Sequence, residues 1–315
     1  MLGSTTLAVA TAIGLAGCGT TSAPAVPQSA KSQITVDTSR PGEARAAQAT
    51  VERRLRELEK SYQGRIGAFA VDTGTGRVVS HRADERFPML STFKTMAASA
   101  VLRKARESDP GLINRVVYWK DSEVVDNSPV TKDHVKSGLT IAQLCEAAIT
   151  QSDNTAGNML LKQIGGPAGL TRFLRSIKDP VSRLDRWETD LNIWKPGQRG
   201  DTTTPGAMGR NLRGTTVGGT LTAPDQARLN GWLRGNLTGD ERIRAGVPKG
   251  WVVGDKTGTA GNYGAANDIA VAWPPSGAPV IISIYTNRDA AAGTTDNTVI
   301  SRTASILVSG LGKTR

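Results

Sequence analysis

The sequence predicts an α/β (α+β) protein: an antiparallel sheet of about five strands, built from both chain ends and flanked by helices, with an inserted all-α subdomain. Short β-branched segments separated by Gly, Pro and Asn occur within residues 66–80 and again within 251–285. Helical patterns fill most of 91–237 between them. The length of 315 residues accommodates two such parts in one unit. A ligand cleft is expected where they meet.

Each element follows from local pattern. Residues 46–60 repeat apolar side chains at helical spacing and predict the first helix. Residues 66–71 and 77–80 predict a hairpin, because the glycines between them allow a tight turn. The same reasoning predicts helices at 140–150, 155–164, 224–233 and 297–307, and strands at 251–256, 268–273 and 280–285.

The first 18 residues have the character of an export signal. They carry no charged side chain, and the apolar run 7–16 is too short to span a membrane. The run ends in Leu15-Ala16-Gly17-Cys18, which resembles a bacterial lipoprotein box and implies lipidation of Cys18. The alternative is an ordinary signal peptide with a chance cysteine. Both predict export, either to the outer side of the cell membrane or into the medium.

Three segments are predicted: a signal peptide at 1–18, a flexible tether at 19–45 and a folded domain at 46–315. The tether is rich in small and polar residues that cannot repay the entropy of ordering. Within the domain, 46–88 and 238–315 would form the α/β part and 89–237 the helical part.

Composition excludes several kinds of partner. The chain has 39 Lys plus Arg against 28 Asp plus Glu, but the basic residues are scattered and only four Phe and four Tyr are present. This argues against nucleic-acid binding and for a generally basic surface. His81 and His134 are too isolated for a zinc site, so no metal or cofactor is expected. Cys145 lies in an apolar helical stretch and is predicted to be a buried, free thiol.

A serine and a lysine three residues apart form the first chemical motif. Pro88 blocks backward extension of the helix that Ser91-Thr92-Phe93-Lys94 begins, which places Ser91 at its N-terminus. Lys94 then lies on the same face, where a neutral amine can take the serine proton. Alone, this pattern is far more often a helix cap beside a surface lysine.

Two further motifs follow. In Ser152-Asp153-Asn154, between two predicted helices, the hydroxyl of Ser152 can relay a proton and the amide of Asn154 can hold a substrate amide. In Lys256-Thr257-Gly258-Thr259, at the end of a strand, Lys256 supplies a positive charge and Gly258 lets a ligand approach the backbone. Each of these alone would be a turn or a strand end.

Together, in this order and about 60 and 100 residues apart, the three motifs resemble the signature of class A serine β-lactamases and penicillin-binding proteins. Surrounding residues extend the resemblance to class A β-lactamases over roughly 45–311. These are Phe87-Pro88-Met89-Leu90, Ser128-Pro129-Val130-Thr131, Arg183-Leu184-Asp185-Arg186-Trp187-Glu188 and Asp201-Thr202-Thr203-Thr204-Pro205. The resemblance implies the serine β-lactamase/penicillin-binding fold and a monomer that binds small β-lactams.

The resemblance also implies catalytic roles. Ser91 would be the nucleophile. Its base would be Lys94, or Glu188 acting through a water. Ser152 would donate a proton to the leaving nitrogen. The N–H groups of Ser91 and Thr259 would form the oxyanion hole. Glu188 would activate the deacylating water.

Other residues of the motif set would bind or support. The resemblance gives Asn192 as partner of Glu188, and Lys256, Thr257 and Arg242 as the binders of the substrate carboxylate. Arg242 is a placement typical of actinobacterial members, and Arg244 is its internal competitor. Structural roles would fall to the ion pair of Arg186 with Asp201, to Asn158 at the loop backbone and to Asp153.

A fourth motif, Glu188 with Asn192, indicates the function. Glu188 and Asn192 resemble the Ω-loop pair that penicillin-binding proteins lack, so the sequence predicts hydrolysis of penicillins and cephalosporins, and thereby β-lactam resistance. The rivals are a D,D-peptidase acting on peptidoglycan stems and a β-lactam sensor that acylates without turnover.

Overall fold

A five-stranded antiparallel sheet lies at the centre of the described part of the protein. The computed structural model describes residues 41–314, and the sheet order is β2-β1-β9-β8-β7. This confirms the predicted sheet assembled from both ends of the chain. The strands are β1 (Gly64–Asp72), β2 (Val78–His81), β3 (Phe87–Pro88), β4 (Val116–Val117), β5 (Leu139–Thr140), β6 (Thr202–Thr203), β7 (Val252–Thr259), β8 (Ala266–Trp273) and β9 (Val280–Arg288).

Helices cover both faces of the sheet. They are α1 (Pro41–Tyr62), α2 (Phe93–Glu107), α3 (Ile141–Thr150), α4 (Asn154–Ile164), α5 (Gly166–Ser176), α6 (Pro205–Thr216), α7 (Ala223–Arg234), α8 (Ile243–Gly246) and α9 (Asn297–Gly310). Those from α2 to α7 form the predicted helical insertion between β2 and β7. Among residues 41–314, no helix combines the length and apolar character needed to cross a bilayer.

The sheet separates two apolar cores. Alternate residues of a strand point to opposite faces, so Ala68 and Ala70 of β1 join the core under α1 and α9. Phe69 and Val71 join the core shared with the helical insertion. Because both faces are covered, the strands are buried along most of their length.

Helix α1 begins earlier than predicted. It starts at Pro41 rather than residue 46, so residues 41–45 belong to the helix and not to the tether. Proline is favoured in the first turn of a helix, as is the acidic Glu43. The apolar periodicity starts only at Val51, where the helix first contacts the core, and this hid the earlier turns. The predicted signal peptide, Cys18 and residues 19–40 lie outside the described residues.

The structure confirms that Cys145 is a buried, free thiol. Its thiol is free and fully buried in α3. Burial raises the pKa of the thiol well above its ordinary range. Helix α3 is fixed at its start by a reciprocal cap, in which Thr140 and Gln143 bond each other's backbone N–H.

The fold brings the start of α2, the α3–α4 connection and the edge strand β7 together. Strand β3 pairs with β6, so Phe87 lies opposite Thr203 immediately before the turn that leads into α2. The loop between α5 and β6 returns to the same place, because Arg183 bridges Thr202. The three motifs and the loop carrying Glu188 therefore meet at one cleft.

Candidate active site

Ser91 lies in a strained turn at the mouth of α2. Residues Leu90–Thr92 form a 3-10 turn that runs directly into α2. Leu90 has φ 49°, a left-handed conformation that is costly for a bulky residue and recurs at functional sites. The turn is held from behind, since Asn267 Nδ2 donates to Pro88 O at 2.8 Å. Ser91 therefore lies in the 3-10 turn that leads into α2, whereas the sequence predicted it at the N-terminus of the helix itself, which begins two residues later at Phe93.

Lys94 is surrounded by the polar groups of the site. Its Nζ donates to Ser91 Oγ at 2.9 Å, to Asn154 Oδ1 at 2.6 Å and to Ser152 O at 2.8 Å. Glu188 Oε1 lies 3.0 Å from the same nitrogen. Burial lowers the pKa of Lys94, and the charge of Glu188 opposes this. The lysine is therefore within reach of the serine proton and predisposed to lose its own.

The Ser152-Asp153-Asn154 segment connects α3 to α4. Ser152 has φ 57°, which turns its hydroxyl toward Lys256. Asp153 caps α4 by accepting from Ala156 N at 2.8 Å. Besides bonding Lys94, Asn154 donates from Nδ2 to Asp126 O at 2.8 Å. Because an amide nitrogen carries two hydrogens, one N–H of Asn154 remains for a substrate.

Lys256 crosses from β7 to Ser152. Its Nζ donates to Ser152 Oγ at 3.0 Å and to Thr257 O at 2.8 Å. The side chain is fully buried, and burial together with the positive charge of Lys94 lowers its pKa well below the ordinary value. The hydroxyl of Thr257 bonds that of Thr238 at 2.6 Å. Two lysines thus flank the Ser152 hydroxyl.

Close packing of β7 explains why position 258 is a glycine. A Cβ at this position would lie 2.9 Å from Leu90 Cβ and 3.3 Å from Ser91 N. The glycine is therefore needed so that β7 can approach the turn that carries Ser91, a requirement that the sequence did not indicate. This close approach brings the Ser91 N–H beside the strand end that carries Thr259, where an oxyanion hole requires two converging donors.

Glu188 faces Ser91 from the opposite side of the cleft. Ser91 Oγ donates to Glu188 Oε1 at 3.3 Å, and Asn192 Nδ2 donates to Oε2 at 2.7 Å. Asn158 holds the backbone of Glu188 by two bonds, donating to its carbonyl at 3.0 Å and accepting its N–H at 2.9 Å. The Oδ1 atom of Asn192 is buried and has no hydrogen-bond partner among residues 41–314.

The loop carrying Glu188 is closed at its base by an ion pair. Arg186 Nε lies 2.6 Å from Asp201 Oδ2, and Asp201 Oδ1 accepts the N–H groups of Asp185 and Arg186. Asp201 itself is fully buried with φ 54°. The geometry matches the structural roles predicted for these residues.

Arg242 is buried against the end of β7. Only 6% of it is exposed, and its guanidinium donates to Gly258 O, Asn267 O and Thr259 Oγ1 at 2.9, 2.7 and 2.7 Å. Burial lowers its pKa. Arg244 instead bonds Asp255 at 2.6 Å, farther along the strand. The structure thus places Arg242, of the two arginines, at the strand end nearest Ser91.

Sequence reasoning missed two supporting residues. Asn267, which braces Pro88, lies opposite Gly258 in the β7–β8 register, and a polar residue facing a strand glycine was the available signal. Trp194 is buried in a loop whose neighbouring residues are exposed, and a lone tryptophan in a polar segment was the signal there.

The arrangement defines a class of enzyme. One buried serine hydroxyl contacts both a lysine amine and a carboxylate, beside a strand end able to complete an oxyanion hole. A serine positioned between two bases can be acylated with one and released with the other. The site is that of a serine hydrolase acting through an acyl-enzyme.

Comparison with known proteins identifies the family. The model of the β-lactamase enzyme family matches residues 50–311. β-Lactamase AST-1 of Nocardia asteroides is 50% identical over 264 residues, which is 84% of this chain and 84% of that protein. The crystal structure of a β-lactamase from Streptosporangium roseum is 63% identical with a TM-score of 0.83, covering 84% of this chain and 99% of that one. An ancestral class A β-lactamase structure is 48% identical with a TM-score of 0.79, covering 82% and 99%.

The chain belongs to the β-lactamase enzyme family, as a class A serine β-lactamase. Its activity is the hydrolysis of the β-lactam amide bond, the reaction by which such enzymes give antibiotic resistance.

Proposed function

We propose that this β-lactamase opens penicillins and cephalosporins through an ester formed on Ser91, with Lys94, Ser152 and Glu188 as the groups that move protons. The observation that carries the proposal is the double contact of Ser91 Oγ, 2.9 Å from Lys94 Nζ and 3.3 Å from Glu188 Oε1. Two bases on one hydroxyl supply one for each half of a double displacement.

Acylation begins when Ser91 Oγ attacks the lactam carbonyl carbon. Its proton passes to the Lys94 amine, whose neutral form is favoured by burial, or to Glu188 through a water. The developing oxyanion accepts hydrogen bonds from the N–H groups of Ser91 and Thr259. Each such donor typically contributes about 3 to 4 kcal/mol to transition-state stabilisation.

Collapse of the tetrahedral intermediate breaks the lactam C–N bond. The leaving nitrogen takes a proton from the Ser152 hydroxyl, which lies 3.0 Å from Lys256 Nζ and 3.5 Å from Lys94 Nζ. A proton returned from Lys94 then restores Ser152. The two lysines hold this hydroxyl where the ring nitrogen departs.

Deacylation is assigned to Glu188. The carboxylate takes a proton from a water that attacks the ester carbonyl carbon. The bond from that carbon to Ser91 Oγ then breaks, and the proton held by Glu188 passes to Ser91 Oγ, 3.3 Å away. The buried, unpartnered Oδ1 of Asn192 supports this assignment, since a water donating to both Oδ1 and Glu188 would satisfy that acceptor within the described site. Product release regenerates the free serine.

The substrate carboxylate is assigned to Lys256, Thr257 and Arg242. The negative charge of the carboxylate would pair with the Arg242 guanidinium and would favour the protonated form of Lys256, whose pKa burial lowers. Asn154 keeps one N–H for the side-chain amide of the antibiotic. These contacts select a small anionic β-lactam rather than a nucleic acid or another macromolecule.

The sequence alone left two alternatives, a D,D-peptidase and a sensor that is acylated without turnover. The Glu188–Asn192 pair supports a hydrolase over both. The deciding experiment measures steady-state turnover of a chromogenic cephalosporin, followed by a panel of penicillins, cephalosporins and a carbapenem. Many turnovers per enzyme support the proposal. A single equivalent of colour with a lasting adduct on Ser91 would establish the sensor instead.

We also propose that the enzyme is exported as a monomer and held on the outer side of the cell membrane by a lipid on Cys18, or otherwise secreted. The lipoprotein-like sequence before Cys18 supports this. No other membrane attachment is proposed, and no metal or cofactor enters the mechanism.

A further inference from the structure

Trp194 is a buried residue in an otherwise exposed stretch of the loop that carries Glu188. Only 2% of Trp194 is exposed, whereas its neighbour Ile193 is 60% exposed and Lys195 is also exposed. A large aromatic side chain buried alone in such a segment fixes the segment to whatever it contacts.

The contact is with the turn that connects β7 to β8. The rings of Trp194 and Tyr263 meet edge to face, with centroids 5.8 Å apart and an interplanar angle of 78°. Next to them, Asn262 Nδ2 donates to the carbonyl oxygen of Trp194. The end of the Glu188 loop is therefore attached to this turn by one aromatic contact and one hydrogen bond.

The turn is itself held firmly on its far side. Tyr263 N donates to Ala291 O at 2.8 Å, and Tyr263 O accepts from Arg288 N at 2.6 Å. Its φ of 53° is left-handed, which the two bonds maintain. Trp194 thus packs against a turn that backbone hydrogen bonds hold in place.

Trp194 is also connected to the base. The backbone N–H of Trp194 donates to Asn192 O at 3.1 Å, and the Asn192 side chain donates to Glu188 Oε2 at 2.7 Å. The β7–β8 turn follows Thr259, whose N–H is assigned to the oxyanion hole. The Trp194–Tyr263 contact therefore joins the element bearing the water-activating base to the element that binds the acyl oxygen.

From this geometry we propose that Trp194 is a positioning residue for deacylation, which sets Glu188 against the ester by holding its loop to the β7–β8 turn. The inference rests on the proposed role of Glu188. Asn158 and the Arg186–Asp201 pair hold the loop at Glu188 and at its base, and Arg186 also donates to Ile193 O at 2.9 Å. Loss of the Trp194 ring would therefore leave the loop closed, but would remove the aromatic contact that fixes its Asn192 end against the β7–β8 turn.

The test compares Trp194→Ala with Trp194→Phe. Within the described residues Trp194 Nε1 has no hydrogen-bond partner, so phenylalanine loses no such bond and keeps an aromatic ring. A displacement of about 1 Å can slow catalysis on the order of 100-fold, so we expect Trp194→Ala to deacylate benzylpenicillin about 10- to 100-fold more slowly. Trp194→Phe should stay close to the wild-type rate.

The kinetic pattern separates positioning from simple loss of folded enzyme. Slower deacylation lowers kcat and KM together and changes kcat/KM far less, with acyl-enzyme visible by mass spectrometry after quenching. A fraction of inactive enzyme lowers kcat at constant KM. The first pattern supports the proposal, and the second overturns it.

A partner variant keeps the test decisive if Trp194→Ala does not fold. Tyr263→Asn removes the partner ring while asparagine tolerates the left-handed backbone, and Tyr263→Phe is its matched control. Tyr263→Asn should show the same joint fall of kcat and KM, and Tyr263→Phe should not. Normal deacylation by Tyr263→Asn, or equal damage in Trp194→Phe and Trp194→Ala, would refute the role of Trp194.

Glu188→Ala, assayed alongside, separates the two hypotheses. If Glu188→Ala accumulates acyl-enzyme but Trp194→Ala does not, only the positioning role is wrong. If Glu188→Ala turns over normally, the assigned role of Glu188 fails and the role of Trp194 fails with it.

Discussion

Lys94 Nζ and Glu188 Oε1 lie 3.0 Å apart, and both side chains are fully buried. Ser91 Oγ contacts both atoms, so the three groups form one hydrogen-bond network through which a proton can move without bulk water. Burial lowers the pKa of Lys94 while the nearby carboxylate opposes that shift. Lys94 can therefore act as acid or as base, beside a carboxylate, Glu188, whose proposed role is to activate water.

Arg242 should contribute to both substrate binding and stability. We expect Arg242→Ala to raise KM for penicillins and to cost about 1.5 to 3 kcal/mol in kcat/KM, the scale of a charge-assisted hydrogen bond. Because its guanidinium also bonds Gly258 O and Asn267 O, the variant should unfold at a lower temperature as well. Steady-state kinetics and thermal unfolding together measure both effects.

Arg244→Ala is the matched control. It removes the partner of the buried Asp255 and should lower stability while leaving KM nearly unchanged. If Arg244→Ala raises KM and Arg242→Ala does not, the carboxylate has been assigned to the wrong arginine.

Glu59 should make stability depend on pH in the acid range. Burial alone would raise its pKa, but the nearby His81, whose Nε2 lies 3.2 Å from Oε2, and hydrogen bonds from Arg82 and the Ile66 N–H outweigh burial and lower the pKa from 4.5 to about 2. A carboxylate with a depressed folded-state pKa stabilises the protein fully above its unfolded pKa and loses this contribution as pH falls toward 2. Glu59→Gln should therefore be less stable by about 1.5 to 3 kcal/mol near neutrality.

The measurement is chemical denaturation of wild type and Glu59→Gln between neutral pH and pH 2. The stability difference should shrink below about pH 4.5, because acid protonates Glu59 in the wild type. Glu57→Gln, on the same helix, breaks only an exposed pair with Arg53 and should change stability by less than about 1 kcal/mol. A Glu59 difference that is constant down to pH 2 would contradict this explanation.

Cys145 should resist modification in the native state. Its thiol is fully buried with a raised pKa, so little thiolate is accessible to a reagent. Disulfide-exchange labelling of the enzyme without Cys18 should be slow in buffer and rapid in denaturant. Rapid labelling of the folded, active enzyme would disprove the burial of this thiol.

Cys18 should determine where the enzyme is found. With Cys18→Ser, we expect protein that is released from the membrane or left unprocessed, because a lipid on this residue is the proposed anchor. Fractionation of cells expressing each form provides the measurement. Equal membrane retention of both forms would exclude lipid anchoring through Cys18.

Much of the architecture was predictable, because the local periodicity of apolar side chains indicates strands and helices. The hairpin of β1 and β2, the helices α3 and α4 and the closing helix α9 all fall where the pattern placed them. The catalytic residues were predictable only as a set, since each motif alone is ambiguous.

What the sequence did not predict depends on tertiary contacts. The reason for Gly258 appears only when β7 lies against Leu90, and the extent of α1 exceeds its apolar pattern. Arg242 and Arg244 are distinguished by which residues of β7 each contacts, Gly258 for Arg242 and Asp255 for Arg244. The contact of Trp194 with Tyr263 joins two loops whose closeness no local pattern encodes.

The central claim is that Glu188 is the base of deacylation. Glu188→Ala leaves Ser91, Lys94 and Ser152 in place, so the enzyme can still be acylated, more slowly if Glu188 shares that step. A positioned general base contributes about 10² to 10⁴-fold, so deacylation should slow by that order. Asp190→Ala, in the same loop but exposed, is the control and should turn over normally.

The most direct measurement is the mass of each variant after addition of benzylpenicillin. Glu188→Ala should accumulate a covalent adduct equal to the mass of the whole penicillin, while Ser91→Ala should show none. Undiminished steady-state turnover by Glu188→Ala, without an adduct, would contradict the mechanism.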